Sequence, residues 1–249
     1  MELTTARDLF KKLKDQKLQD LTSLKIENTP GLEALLKNYK SASEFILKQG
    51  NEEFFDYTFE CARDNYSAQD LEFFSLILPT LHNLQTFDDA SLGVLLSVFT
   101  NKCKAENITL RLDHLDKKMS CFSFVGKKNV TIYGRFGDNI GSYLKEGCLE
   151  IYGSAVEVGN GMTGGIIRVH GQVDYISCND PLGPVIPAMI TSIRVYNPTE
   201  GGQIFVYSDR LPGFQSTILG GELHWNDVLI AKEGELMNKD RWGYDFDNI

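Results

Sequence analysis

The feature that most constrains this chain is a ladder of glycines. Anchored on the glycine before each short apolar run, it climbs through Gly147, Gly165, Gly183, Gly202 and Gly221 in steps of 18, 18, 19 and 19 residues. Lys128 holds the place one step earlier, before NVTIYG, and Asp240 holds it one step later, before RWGY. Two residues after each anchor stand Val130, Leu149, Ile167, Val185, Ile204, Leu223 and Trp242. Four after stand Ile132, Ile151, Val169, Pro187, Val206, Trp225 and Tyr244. Three before, Val125, Leu144 and Met162 begin a third apolar column, interrupted only at Asp180 and Thr199. Seven before, Ile140, Val158, Ile176, Val195 and Phe214 form a fourth.

A repeat of this length is about one coil of a parallel β-helix. Inward residues of each coil stack on the same positions of the next, and the backbone pairs between coils. Only the two ends then expose a ladder edge. The glycines mark the corners, where the chain needs positive φ or a close backbone approach. The stretch VGNGMTGG (158–165) fits this pattern better than it fits a phosphate cradle. A cradle requires a helix after the loop, whereas here the strand pattern IIRVHG follows. The coil at Gly183 is the irregular one. Pro184 and Pro187 cannot donate to a central ladder, and a bulged or looped-out segment is expected near 178–190.

The run from Gly153 to Gly171, GSAVEVGNGMTGGIIRVHG, resembles the repeat of the GXGXG family, and 134–153 is a weaker copy of it. That family includes the C-terminal β-helix domain of the large chain of glutamate synthase and the β-helical component of formylmethanofuran dehydrogenase. The resemblance spans roughly residues 120–225. It implies a right-handed parallel β-helix in the role of spacer and scaffold, with chemistry carried by other domains.

Residues 1–105 are punctuated differently. They hold three of the 22 glycines, Gly31, Gly50 and Gly93, and helical spacing replaces alternation. ARDLFKKLKDQKLQDLTSL, TPGLEALLKNYKSASEFILKQG, NEEFFDYTFECARDNYS, AQDLEFFSLILPTLHNL and DDASLGVLLSVFTNKCKA read as about five helices. Thr29–Pro30 starts one of them, Asp88 or Asp89 caps another, and Pro79 bends or ends a third. The expected fold class is α+β in two parts. An N-terminal all-α helical domain covers 1–105, and a parallel β-helix of about six coils covers 106–249.

Composition narrows the function classes. A net charge of −9 and a pI near 5.0 oppose a phosphate backbone or an anionic bilayer. Neither a nucleic-acid nor a membrane partner is expected. MELTTARDLFKKLKDQ holds no apolar run of signal-peptide length. The five cysteines lack C-x-x-C pairing, which fits reduced thiols. The expected location is cytoplasmic. The sequons at Asn107 and Asn129 carry little weight without a secretory signal.

One outward column stands out. Five residues after each anchor come Tyr133, Tyr152, His170, Ala188, Tyr207 and Asn226. The neighbouring mixed column holds Thr131, Glu150, Arg168, Ile186, Phe205 and His224. The candidate binding residues are Tyr133, Tyr152, His170, Glu150 and Arg168, with the helical half expected to pack on this face. A Cys148 or Cys178 nucleophile beside His170 is weighed against inert thiols. Asp174, Asp180, Glu200 and Asp209 are weighed as acid–base carboxylates against solvated loops, and no spacing singles them out. No cofactor, metal or catalytic group is expected. The leading function is a non-enzymatic scaffold or interaction module with a protein partner or self-association. The alternative is a ligand-binding or hydrolytic β-helix using the Tyr133/Tyr152/His170 face.

Overall fold

The structure, a computed structural model, describes residues 29–49, 54, 66–176, 193–194, 203–207, 214–215, 221–232 and 235–237. It is a parallel β-solenoid of about four turns with a few helices. Among the described residues no helix is long and apolar enough to cross a membrane.

Helix α1 (Pro30–Gln49) starts where the Thr29–Pro30 signal predicts. Proline needs no amide partner at that position, and the Thr29 hydroxyl accepts the Leu32 N–H at 3.1 Å. Leu32, Leu35, Tyr39 and Ala42 form its buried stripe. Helix α2 (Ala68–Ile77) opens on a capping box between Ser67 and Asp70 and gives way to a 3-10 turn at Leu78–Thr80, where Pro79 stands. Helix α3 (Asp89–Lys102) takes Asp88 as its N-cap. The helix expected before α1 lies outside the described residues, as does most of the one expected over 51–67, where Phe54 is described and buried.

The main sheet runs through six parallel strands in the order β1 (Asn107–Arg111), β2 (Asn129–Phe136), β3 (Cys148–Val158), β4 (Ile166–His170), β7 (Gln203–Tyr207) and β9 (Glu222–Trp225). The two inward columns pair as predicted. Val130 meets Leu149, then Ile167, Ile204 and Leu223, and Ile132 meets Ile151, then Val169, Val206 and Trp225. A second face carries Val158 between Ile140 and β5 (Val173–Ile176). A short sheet pairs β6 (Ile193–Arg194) with β8 (Phe214–Gln215). Strand β10 (Val228–Lys232) turns back antiparallel on β9 and pairs with β11 (Glu235–Leu236).

The coil count differs from the six expected, and the reasons are local. Strand β4 pairs directly with β7, so no rung from the Gly183 coil stands between Ile167 and Ile204. The Gly183 step itself, with Val185 and Pro187, lies outside the described residues. Missing proline N–H groups make that segment a poor rung. After β9 the sheet reverses instead of adding a parallel strand, and the RWGY step lies outside the described residues. The stack also starts earlier than the glycine ladder suggests. Asn107 pairs with Asn129, a step of 22, which makes NITLR the first rung. Two side-column positions shift as well. Val125 is 70% exposed, with Phe122 and Phe124 buried in its stead, because a one-residue slip in an alternating segment exchanges the two faces. Phe214 pairs with Ile193, two residues before the expected Val195.

The helices close the β1 end of the stack. Helix α2 packs on β1. The Ser75 hydroxyl accepts the Arg111 N–H at 2.8 Å and donates to the Glu72 carbonyl at 2.7 Å. On α3, the Ser97 hydroxyl accepts the Ser123 N–H at 2.9 Å, and Asn101 Oδ1 accepts that of Val125 at 2.8 Å. One cluster of buried apolar residues runs without a break from Leu32 on α1 to Ala231 on β10.

Candidate functional site

The outward face of the main sheet takes every second residue of each strand. In-register parallel pairing therefore lays like positions in columns. Arg111, Tyr133, Tyr152, His170 and Tyr207 occupy one column in consecutive strands of the sheet. Their rings stack face to face. Tyr133 and Tyr152 have centroids 5.0 Å apart at 12°, Tyr152 and His170 4.4 Å apart at 6°, and His170 and Tyr207 5.0 Å apart at 9°. The Arg111 guanidinium covers the free side of Tyr133 at 5.0 Å, while its Nε holds Glu72 of α2 at 2.9 Å. Both faces of Tyr133, Tyr152 and His170 are thus occupied, and what the ladder shows outward is ring edges and polar atoms.

The neighbouring column knits the ladder together. Glu150 Oε1 accepts from the Tyr152 hydroxyl at 3.1 Å and stands 2.9 Å from His170 Nε2. The bond to Glu150 is the largest cause raising the Tyr152 hydroxyl above its ordinary pKa. Tyr207 donates to Asp227 Oδ1 at 2.7 Å, and that bond raises its hydroxyl likewise. Arg168 follows Glu150 in the column. Its Nη1 contacts Cys148 Sγ at 3.0 Å, and its guanidinium lies 5.3 Å over the Phe205 ring. Phe205 in turn stacks on His224 at 4.5 Å.

At the far end, Glu222 Oε2 accepts from Gln203 Nε2 at 2.7 Å and meets His224 Nε2 at 3.2 Å, while Lys232 Nζ reaches Oε1 at 3.1 Å. These contacts, His224 first, hold the Glu222 carboxyl down at about 2.

All five candidate residues therefore share one surface, and the structure brings Glu150, Tyr152 and His170 into direct contact. Among the described residues, the helical half expected to cover this face lies against the end of the stack instead. Helix α2 is against β1, and Tyr152 is 38% exposed. The side chains of Glu150 and His170 are exposed by about a third (33% and 31%). Arg111, Asp227 and the Glu222 cluster were not singled out by sequence. The alternation of NITLR was a usable signal for Arg111, and the column itself already held Tyr207.

Of the weighed nucleophiles, Cys148 is a thiol pushed up in pKa, first by burial, although Arg168 opposes the shift. A raised thiol is a weak nucleophile at neutral pH. Cys178, Asp180, Glu200 and Asp209 lie outside the described residues, as does the side chain of Asp174. Among the described residues no three His, Cys, Asp or Glu side chains converge as metal ligands. Comparison with protein-family models, with curated proteins and with solved structures gives no match.

Proposed function

We propose that this chain is a non-enzymatic scaffold or protein-interaction module. In this reading it is a right-handed parallel β-helix of the GXGXG type, acting in the cytoplasm. The stacking of Val158 on Ile140 and the buried Leu144 and Met162 support the family reading, because they are the contents and corners of the GXGXG repeat. The described cysteines, Cys103, Cys121 and Cys148, are free thiols, in keeping with a reducing compartment.

One observation carries the functional reading. The ladder's rings stack on one another and its charged groups find partners on the same surface, which leaves a rigid, pre-satisfied face suited to being buried. A sugar that stacks on an aromatic face finds none open between Arg111 and Tyr207. The second reading, a ligand-binding or hydrolytic face, draws on the Glu150 carboxylate held between Tyr152 and His170.

The test is enrichment of binding proteins on the immobilised full chain and on a Tyr152→Ala/His170→Ala variant of verified fold. A partner bound by the first and lost with the second is expected. Hydrolysis of a glycan or peptide panel that disappears in Glu150→Gln would transfer the assignment to the second reading.

A further inference from the structure

We infer that the occupant of this face is a second copy of the chain, docked face to face across a two-fold axis parallel to the strands and midway between β3 and β4. The inference rests on the interaction-module reading and names its partner.

Three features of the face lead there. The first is regularity. Successive rings of the ladder lie within 12°, 6° and 9° of parallel, so their outward edges form one straight column. Two such faces mate along their whole length without diverging. The second is position. The axis divides the six parallel strands into β1, β2, β3 on one side and β4, β7, β9 on the other. It therefore bisects the face, as a self-complementary interface requires.

The third is charge. Rotation about this axis exchanges β3 with β4, so that Glu150 of each copy lies opposite Arg168 of the other. Two opposite-charge pairs then flank the axis symmetrically. Tyr152 meets His170, and Tyr133 meets Tyr207, edge against edge. Neither opposed pair joins like charges. A two-fold with its axis along the stack and over this column would place Glu150 on Glu150 and Arg168 on Arg168, an arrangement that like-charge repulsion disfavours. The charge pattern therefore favours the axis along the strands over that one, even in a chain whose net charge is −9.

Size sets the strength. Six strands about 4.8 Å apart and three outward positions per strand give a footprint of roughly 400–600 Å² per copy. A standard interface buries about 800 Å² per partner. The dimer is therefore a weak one that dissociates on dilution.

The test is sedimentation of the full chain over a concentration series reaching about 100 µM, in low and high salt, with Glu150→Arg and Arg168→Glu made separately. The native chain is expected to shift from monomer to dimer with concentration, less so in high salt. Each single variant weakens association about tenfold or more, because like charges then oppose each other across the axis. An equimolar mixture of the two variants restores a dimer, since opposite charges again face at both positions; a fold defect in either variant would not be rescued by mixing. A native chain that stays monomeric throughout, or single variants that dimerise as the native chain does, overturns the inference. A monomeric native chain that still captures another protein through Tyr152 and His170 sinks the self-pairing alone and leaves the interaction reading standing.

Discussion

Gly153 shows how single residues set the shape of this solenoid. It follows the aromatic column at a corner, with φ at +145°, and a Cβ there would collide with the Gly134 carbonyl oxygen one coil below. Gly134 and Gly171 repeat the conformation on either side. The aromatic ladder and the glycine column are therefore one device. Close approach of the backbone at the corner keeps adjacent strands in register, and register brings the rings into their stack. Gly126 separates the two demands made on such a glycine. Its φ is +83°, but nothing lies within 4 Å of where a Cβ would point. Gly126→Ala should lose only the left-handed strain, about 1–2 kcal/mol. Gly153→Ala should cost about 3 kcal/mol or more, because backbone has to move and the rungs above it move too. Equilibrium denaturation of the two variants measures the difference. Equal losses would show that the corner does not depend on the close approach.

At the scale of elements, the helices act as an end-cap. A parallel edge strand exposes N–H and C=O groups that invite further strands. Here Ser75, Ser97 and Asn101 supply acceptors from two helices to the N–H groups of Arg111, Ser123 and Val125. Ser75 is fully buried and uses its hydroxyl twice, as donor to Glu72 and acceptor from Arg111. Ser75→Ala leaves the Arg111 N–H without that acceptor and should cost about 1–3 kcal/mol. Faster hydrogen exchange at the Arg111 amide would accompany the loss; unchanged exchange there would mean the edge is closed by something other than this bond. The same elements mark the limits of legibility. Rungs β3, β4, β7 and β9 are readable because glycine, alternation and a regular step coincide in them, and β2 because it keeps the alternation and the step with Lys128 in the glycine's place. Rung β1 is not, because no glycine precedes NITLR and its step of 22 breaks the period. Spacing alone counts the Gly183 step as a rung, because it reports chain length between corners and not the ability to donate to a ladder; Pro184 and Pro187 have no N–H to give, and β4 pairs directly with β7.

For the whole molecule, what the sequence made legible was the direction in which side chains point, and what it hid was how they meet. Period-two alternation placed Tyr133, Tyr152 and His170 outward together. It could not show that Glu150 is shared by Tyr152 and His170, that Arg168 turns to Cys148 and Phe205, or that Arg111 closes the ladder from one end. Those outcomes depend on rotamers chosen in competition among neighbours. Nor could composition show that the helical and β regions share a core, since the shift in glycine content records turn chemistry rather than the course of buried surface. The apolar cluster passes from Leu32, Phe74 and Phe99 of the helices through Ile108 and Leu110 to Ile151, Val169 and Val206 of the sheet. Cooperative unfolding follows shared burial, because opening either part exposes the surface of the other. The two tryptophans, Trp225 on β9 and Trp242, both follow the helices in the sequence, so tryptophan fluorescence reports the β region, while the far-ultraviolet band at 222 nm reports mainly the helices. Both signals should fall in one transition with a common midpoint in chemical denaturant, and substitution of a core residue on either side, Phe99→Leu in α3 or Ile151→Val in β3, should move the two midpoints together. A helix signal lost well before the tryptophan signal would show that the end-cap detaches independently and that the continuous core is not a single cooperative unit.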